Sequence, residues 1–126
     1  MSRKEFRDIK TTIKVESTAN NPEDLKLLNN HQAGSIGNKL EKPVSVIVTD
    51  KFDNPVSGIH VLMKVTMGNG NFENGKRETT AKTDKDGKVY IDFTLGTEAG
   101  FNAIDISLPK YDITKSFQAV GQEVTV

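Results

Sequence analysis

Apolar residues recur at every second position along much of the chain. Val44, Val46 and Val48 alternate with Ser45, Ile47 and Thr49. Ile59, Val61, Met63 and Val65 alternate with His60, Lys64 and Thr66, and Val89, Ile91, Phe93 and Leu95 with Lys88, Tyr90, Asp92 and Thr94. Ile104, Ile106 and Leu108 form a shorter inner face, with Asn102, Asp105 and Ser107 placed outside it, and Ser116-Phe-Gln-Ala119 reads as a last strand. A period of two puts successive side chains on opposite faces, so each run predicts a strand with one face buried and the other in water.

Turn residues separate these runs. Asn54-Pro55 supplies turn chemistry, and Gly58 is expected at positive φ just before its strand. Gly68-Asn-Gly-Asn71 ends the strand before it, Asn74-Gly75 predicts a two-residue hairpin turn, Asp86-Gly87 a second tight turn, and Pro109 a strand end. The polar stretch from Arg77 to Thr83 reads as an edge strand, and Gly121 to Val126 as an extension of the last strand or a link onward.

The first part of the chain is less regular. Residues 1–10 are charged and aperiodic and read as a leader or linker, leaving 11–126 as one domain. Thr11 to Glu16, with Ile13 and Val15 on one face, predicts an edge-like strand. Pro22 to Leu28 reads either as an irregular connection or as a helical turn capped by Asn21 with Pro22 at its first position. His31 to Glu41 is expected to be a short extended segment leading to the Val44 strand. The sum is an all-β fold of about seven to nine strands without an amphipathic helix, folded as a sandwich of two antiparallel sheets.

Several motifs carry a resemblance. Val44 to Asp50 reads V-x-V-x-V-T-D, Asn54 to Gly58 reads N-P-V-x-G, and Val65 to Gly70 reads V-T-x-G-x-G. Thr83 to Lys88 reads T-D-x-D-G-K, and Leu95 to Gly100 reads L-G-T-x-A-G. In this order, over about half the chain, they resemble the bacterial immunoglobulin-like domain of the invasin and intimin type. The resemblance implies an immunoglobulin-like β-sandwich whose first and last strands run the same way. Entry near Thr11 and exit beyond Ala119 would then lie at opposite poles, at least about 20 Å apart.

Composition removes alternatives more than it adds any. The 126 residues are long enough for one core. Seventeen basic side chains balance seventeen acidic ones, so no strong field favours nucleic acid or a membrane surface. There is no cysteine, which excludes disulfides, thiolate catalysis and cysteine-ligated zinc. Residues 1–10 lack the apolar run of a signal peptide, and no stretch is apolar enough to span a bilayer as a helix, so any export signal is expected outside this chain.

Candidate chemistry is sparse. His31 falls in a loop and His60 on an outward strand face, neither beside a nucleophile and an orienting group, so no catalytic residue is assigned. Gly68-Asn-Gly70 is too short to cradle phosphate. Asp50, Asp53 and Asn54 cluster in one loop and Asp84, Asp86 and Asp92 around another, the kind of oxygen-rich grouping calcium takes. Turn geometry already accounts for these residues, and no metal or cofactor is assigned. Phe52, Phe72, Tyr90, Phe101 and Tyr111 lie off the inner faces or near loops, where glycan stacking is conceivable but plugging of the sandwich ends is expected. An isopeptide cross-link needs a buried lysine, and Lys64 falls on a polar face.

The resemblance implies a non-enzymatic module of a larger bacterial cell-surface or secreted protein, extracellular, acting as a spacer or a cell-adhesion and protein-interaction unit. Its expected partners are neighbouring domains of the same polypeptide and a host or surface protein, with no nucleic acid and no membrane insertion, and a monomer is expected. The alternative is an accessory β-sandwich of a secreted enzyme or transport machine, which shares the N-P-V-x-G and T-D-x-D-G-K turns but not the Leu95–Gly100 corner.

Overall fold

In the computed structural model residues 21–123 are described, and they form ten strands and one short 3-10 turn. The strands are β1 (Asp24–Leu28), β2 (Gln32–Ser35), β3 (Val44–Thr49), β4 (His60–Met67), β5 (Asn71–Phe72), β6 (Glu78–Lys82), β7 (Lys88–Ile91), β8 (Phe93–Thr94), β9 (Gly100–Leu108) and β10 (Ile113–Gln122). They assemble as a five-stranded sheet in the order β2-β10-β9-β4-β6, a three-stranded sheet β1-β3-β7, and a small β5-β8 pair. The inner faces of both larger sheets meet in one apolar cluster. The expected leader, the Thr11 strand and the last three residues lie outside the described part.

The alternation carries the core as its period predicts. Val44, Val46 and Val48 from β3, Val61, Met63 and Val65 from β4, Ile104, Ile106 and Leu108 from β9, and Phe117 and Ala119 from β10 are buried. Phe72 and Phe93, fully buried on the β5-β8 pair, meet edge to face with ring centroids 5.4 Å apart. At about 25 cal/mol per Å², each such side chain contributes roughly 1.5–3 kcal/mol on burial.

Four expectations need correction. Pro22 to Leu28 holds neither a helix nor an irregular connection: Asp24–Leu28 is a strand paired antiparallel with β3, Leu25 opposite Val48 and Leu27 opposite Val46. Leu25 is buried and Leu27 half-buried with exposed Lys26 between them, which is the strand period. The five-stranded sheet is not wholly antiparallel, because β2 runs parallel to β10, Gln32 opposite Ala119 and Ser35 opposite Gln122. β2 and β10 can pair this way because the chain between them crosses to the other sheet and returns.

The remaining two corrections concern a turn and a face. Asn74-Gly75 does not make a two-residue hairpin. Gly75 alone has positive φ, its N–H donates to Phe72 O, and Phe72 N donates to Lys76 O, which closes a three-residue loop. A two-residue turn of the expected type needs positive φ at both central residues, and Asn74 does not supply it. Asn102 does not face outward. It lies two residues from Ile104 on the same face, and it is 2% exposed.

Register fixes the two poles. The loops after β3, after β6 and after β9 lie at one pole, and the β4–β5 turn and Leu95–Gly100 lie at the other. Asn21–Glu23 sit at the first pole, where Glu23 N donates to Thr49 O. Gln122 sits at the second, opposite Ser35.

Candidate functional site

Three turns share one construction. Asp50–Asn54, Phe72–Lys76 and Asp84–Lys88 each place their fourth residue at positive φ, in Asp53, Gly75 and Gly87. In each, the N–H of that residue donates to the carbonyl of the first, and the first N–H donates to the carbonyl of the fifth. Asp50 Oδ1 accepts from Phe52 N at 2.8 Å and Asn54 N at 2.9 Å. Asp84 Oδ1 accepts from Asp86 N at 2.8 Å and Lys88 N at 3.0 Å. These bonds, that to Lys88 N first, hold the Asp84 carboxyl below its ordinary pKa. The carboxylates act as turn clasps.

The acidic groups taken together from sequence are therefore not brought together as a cation site. Asp53 pairs with Lys26 Nζ at 2.6 Å, a bond that raises the lysine pKa. Asp92 lies beyond the far end of β7 from Asp84, where it is 3.7 Å from Lys39 Nζ. Among the described residues no group of three His, Cys, Asp or Glu side chains is placed to hold a metal ion.

At the first pole the two turn motifs are joined by buried Thr83. Its Oγ1 donates to Val56 O at 2.8 Å and accepts from Ile59 N at 2.9 Å. Gly87 packs so closely that an added Cβ would lie 2.8 Å from Val48 O and 3.0 Å from Val56 N. At the second pole Asn69 Oδ1 accepts from Thr97 N at 2.9 Å, and Asn102 Oδ1 accepts from Gly96 N at 3.3 Å. These residues tie loop to loop at both ends.

The other candidates are dispersed. His31 and His60 are exposed, and Lys64 is exposed and 3.9 Å from Glu78. Phe72, grouped with the outward aromatics, is instead a core residue. Phe52 projects from the tip of the Asp50 turn with Lys51 Nζ 5.2 Å from its ring centroid, and Tyr90 stands on the outer face of the three-stranded sheet. Phe101 is at the second pole and Tyr111 at the first, so no two of these rings form a stacking platform.

Two surface features were not visible as such in the sequence. On the outer face of the five-stranded sheet, Ala33, Val120 and Phe101 lie opposite one another in register across β2, β10 and β9. Ala103 and its partner Met67 continue this strip. Phe101 is 62% and Met67 53% exposed. A bulge between Ala103 and Ile104 turns Met67 outward, which alternation alone does not foretell. The second feature is a shallow apolar pocket of about 200 Å³ at the first pole, where the start of β4 meets the Pro109–Tyr111 turn.

Two packed sheets, a parallel pairing of β2 with β10 and loops tied at both ends define an immunoglobulin-like β-sandwich. Its fold is that of the bacterial immunoglobulin-like domains of the invasin and intimin type. It superposes on the adhesin InvE of Yersinia pseudotuberculosis with a TM-score of 0.66 and 16% identity over 80% of this chain and 32% of that one. Invasin, a bacterial integrin-binding protein, matches with a TM-score of 0.62 and 18% identity over 81% of this chain and 19% of that one. A C-terminal intimin fragment, solved in complex with the intimin-binding domain of its translocated receptor, gives 0.57 and 18% over 80% and 33%. This chain thus spans about a fifth to a third of those structures, and at these identities the likeness is one of fold. No protein-family model and no curated protein matches the sequence.

Proposed function

We propose that this chain is a non-enzymatic immunoglobulin-like module of a larger bacterial cell-surface or secreted protein, joined in series with its neighbours as a spacer or protein-interaction unit. One observation carries the reading: the described chain begins at one pole, beside Thr49, and ends at the other, beside Ser35. The nine residues of β9 alone rise over roughly 27 Å at about 3.4 Å each, so modules linked pole to pole lengthen the assembly with each copy. The likeness in fold to an adhesin, to an integrin-binding protein and to a receptor-bound intimin fragment supports a surface setting and a protein partner.

The test is small-angle scattering of the chain and of a head-to-tail tandem of it. The maximum dimension of the tandem is expected to approach twice that of the single chain. A tandem that folds back side by side, with a maximum dimension close to the single chain's, would remove the basis for a serial module.

A further inference from the structure

The pocket at the first pole is lined by Gly58, Ile59, His60, Pro109, Lys110 and Tyr111. Its floor is apolar: Ile59 is half-buried against the core, Pro109 is fixed at the start of the 3-10 turn, and Tyr111 stands 37% exposed. The turn is held open by Asp112, which takes the left-handed conformation at φ 55° and starts the chain back along β10. Its rim is cationic. Lys110 lines it directly, and Lys82 lies opposite His60 in register on the same outward face. Lys82 and Lys110 form no ion pair among the described residues, a state they share with Lys42, Lys51, Lys76, Lys85 and Lys88, whereas Lys26, Lys39, Lys64 and Lys115 each have an acidic partner. Two acids lie two residues from these lysines in sequence: Asp112 follows the turn, and Asp84 uses its carboxylate on the amides of Asp86 and Lys88.

We propose that this pocket binds an acidic segment of a partner protein, seating one aliphatic side chain over Ile59, Pro109 and Tyr111 while flanking carboxylates meet Lys82 and Lys110. The volume suits a single side chain of leucine size and is well below that of a drug-sized ligand site. An apolar floor flanked by Lys110 and Lys82, which have no ion pair among the described residues, favours an acidic segment over neutral or basic ones, since charge complementarity governs which partner approaches and in what register. The proposal goes beyond the serial-module reading and does not depend on it.

The test is an amide NMR titration of the full chain with the blocked pentapeptide Glu-Glu-Leu-Glu-Glu. Two further peptides accompany it, Gln-Gln-Leu-Gln-Gln and Glu-Glu-Ser-Glu-Glu. Shifts confined to residues 58–60 and 109–111 are expected with the first peptide, with at least about tenfold weaker binding by each of the others. The doubly reversed variant Lys82→Glu, Lys110→Glu is expected to bind the first peptide at least about tenfold more weakly while keeping its melting temperature, because both side chains are exposed. Absence of shifts, shifts spread over the surface, equal binding of the three peptides, or unchanged binding by the variant would each overturn the proposal.

Discussion

Thr83 and Ile59 bond to each other twice: Thr83 N donates to Ile59 O at 2.9 Å, and Ile59 N donates to Thr83 Oγ1 at 2.9 Å. The same hydroxyl donates to Val56 O, so one buried side chain joins the Asn54–Gly58 turn to the Thr83–Lys88 hairpin. Thr83→Val keeps the branched shape and removes the hydroxyl. It leaves a donor and an acceptor without their partner, and at about 1–3 kcal/mol each the loss should be roughly 2–6 kcal/mol. Thr83→Ser should lose much less. Urea titration of both variants checks this; equal losses would mean that the methyl group matters more than the bonds.

Gly58 and Gly87 have nearly the same φ, 76° and 73°, but different surroundings. A Cβ at Gly58 meets nothing within 4 Å, so Gly58→Ala should cost only the backbone strain, about 1–2 kcal/mol. Gly58→Val belongs in the range of about 1–3 kcal/mol because branching narrows the allowed backbone further. At Gly87 the same strain is joined by collision with Val48 O, Val56 N and Pro55, which are backbone or ring atoms that cannot swing aside. Gly87→Ala should therefore be the more destabilising by at least about 1 kcal/mol in denaturant titration, on the scale of overpacking. Equal costs would show that the two turns yield alike.

Strands with unbroken alternation were legible because burial on one face leaves a period that no other structure shares. The valines of β3 and the inner residues of β4, β7 and β9 are of this kind. The β1 strand was harder, since Asn21-Pro22 is also a helix start and only Leu25 and Leu27 reveal the period. The Asn74-Gly75 dipeptide serves two turn types, and the choice between them rests on which partner strand follows. Here Glu78–Lys82 pairs with β4 and not with β5. Asn102 shares the parity of Ile104 and Ile106, and that parity decides its face against its polarity. Neither the outer strip nor the pole pocket is periodic, as both join residues far apart in sequence through sheet register and a bulge. The turn acids were legible as turn acids, because Asp in such loops bonds its own backbone.

Calcium should have no effect on stability. Asp50 and Asp84 each use an oxygen for two backbone amides, and Asp53 and Asp92 face lysines. A cation would have to displace these bonds, and a ligand that does not prefer the native state cannot raise its melting point. Thermal melts in millimolar calcium and in chelator should coincide within error. A rise of several degrees with calcium would place a cation at these loops.

Acid should weaken the fold partly through Asp84. Its pKa lies below the ordinary 3.8 because the amides of Lys88 and Asp86 favour the charged form. A group depressed in the folded state stabilises above the unfolded pKa, near 4, and loses that contribution as pH falls through the folded value. Asp84→Asn keeps an acceptor oxygen for the turn but cannot titrate. It should melt close to the parent at pH 7 and decline less steeply below pH 4. An identical acid limb would exclude Asp84 as a contributor. Lys26, raised by its bond to Asp53, has the opposite sign: its contribution is present below the unfolded pKa of about 10.4 and is lost as pH rises through the folded value.

Asn102 offers the reverse pH dependence in the same fold. It is 2% exposed at the second pole, and its Oδ1 accepts from Gly96 N and lies close against Gly68. Asn102→Asp preserves shape and that acceptor, but at neutral pH it buries a carboxylate with one amide donor at 3.3 Å. Desolvation with so little compensation should raise the folded pKa above the unfolded value near 4, so that folding favours the neutral acid. Below pH 4 the variant should be nearly as stable as the parent. As pH rises through the folded pKa, the penalty should grow to about 3 kcal/mol or more, the scale of an unpaired buried charge. Denaturant titrations of parent and variant at pH 4 and pH 7 separate the cases. A penalty that does not grow with pH would mean that the second pole opens enough to hydrate the carboxylate, and that the Asn102–Gly96 tie closes it less firmly than its burial indicates.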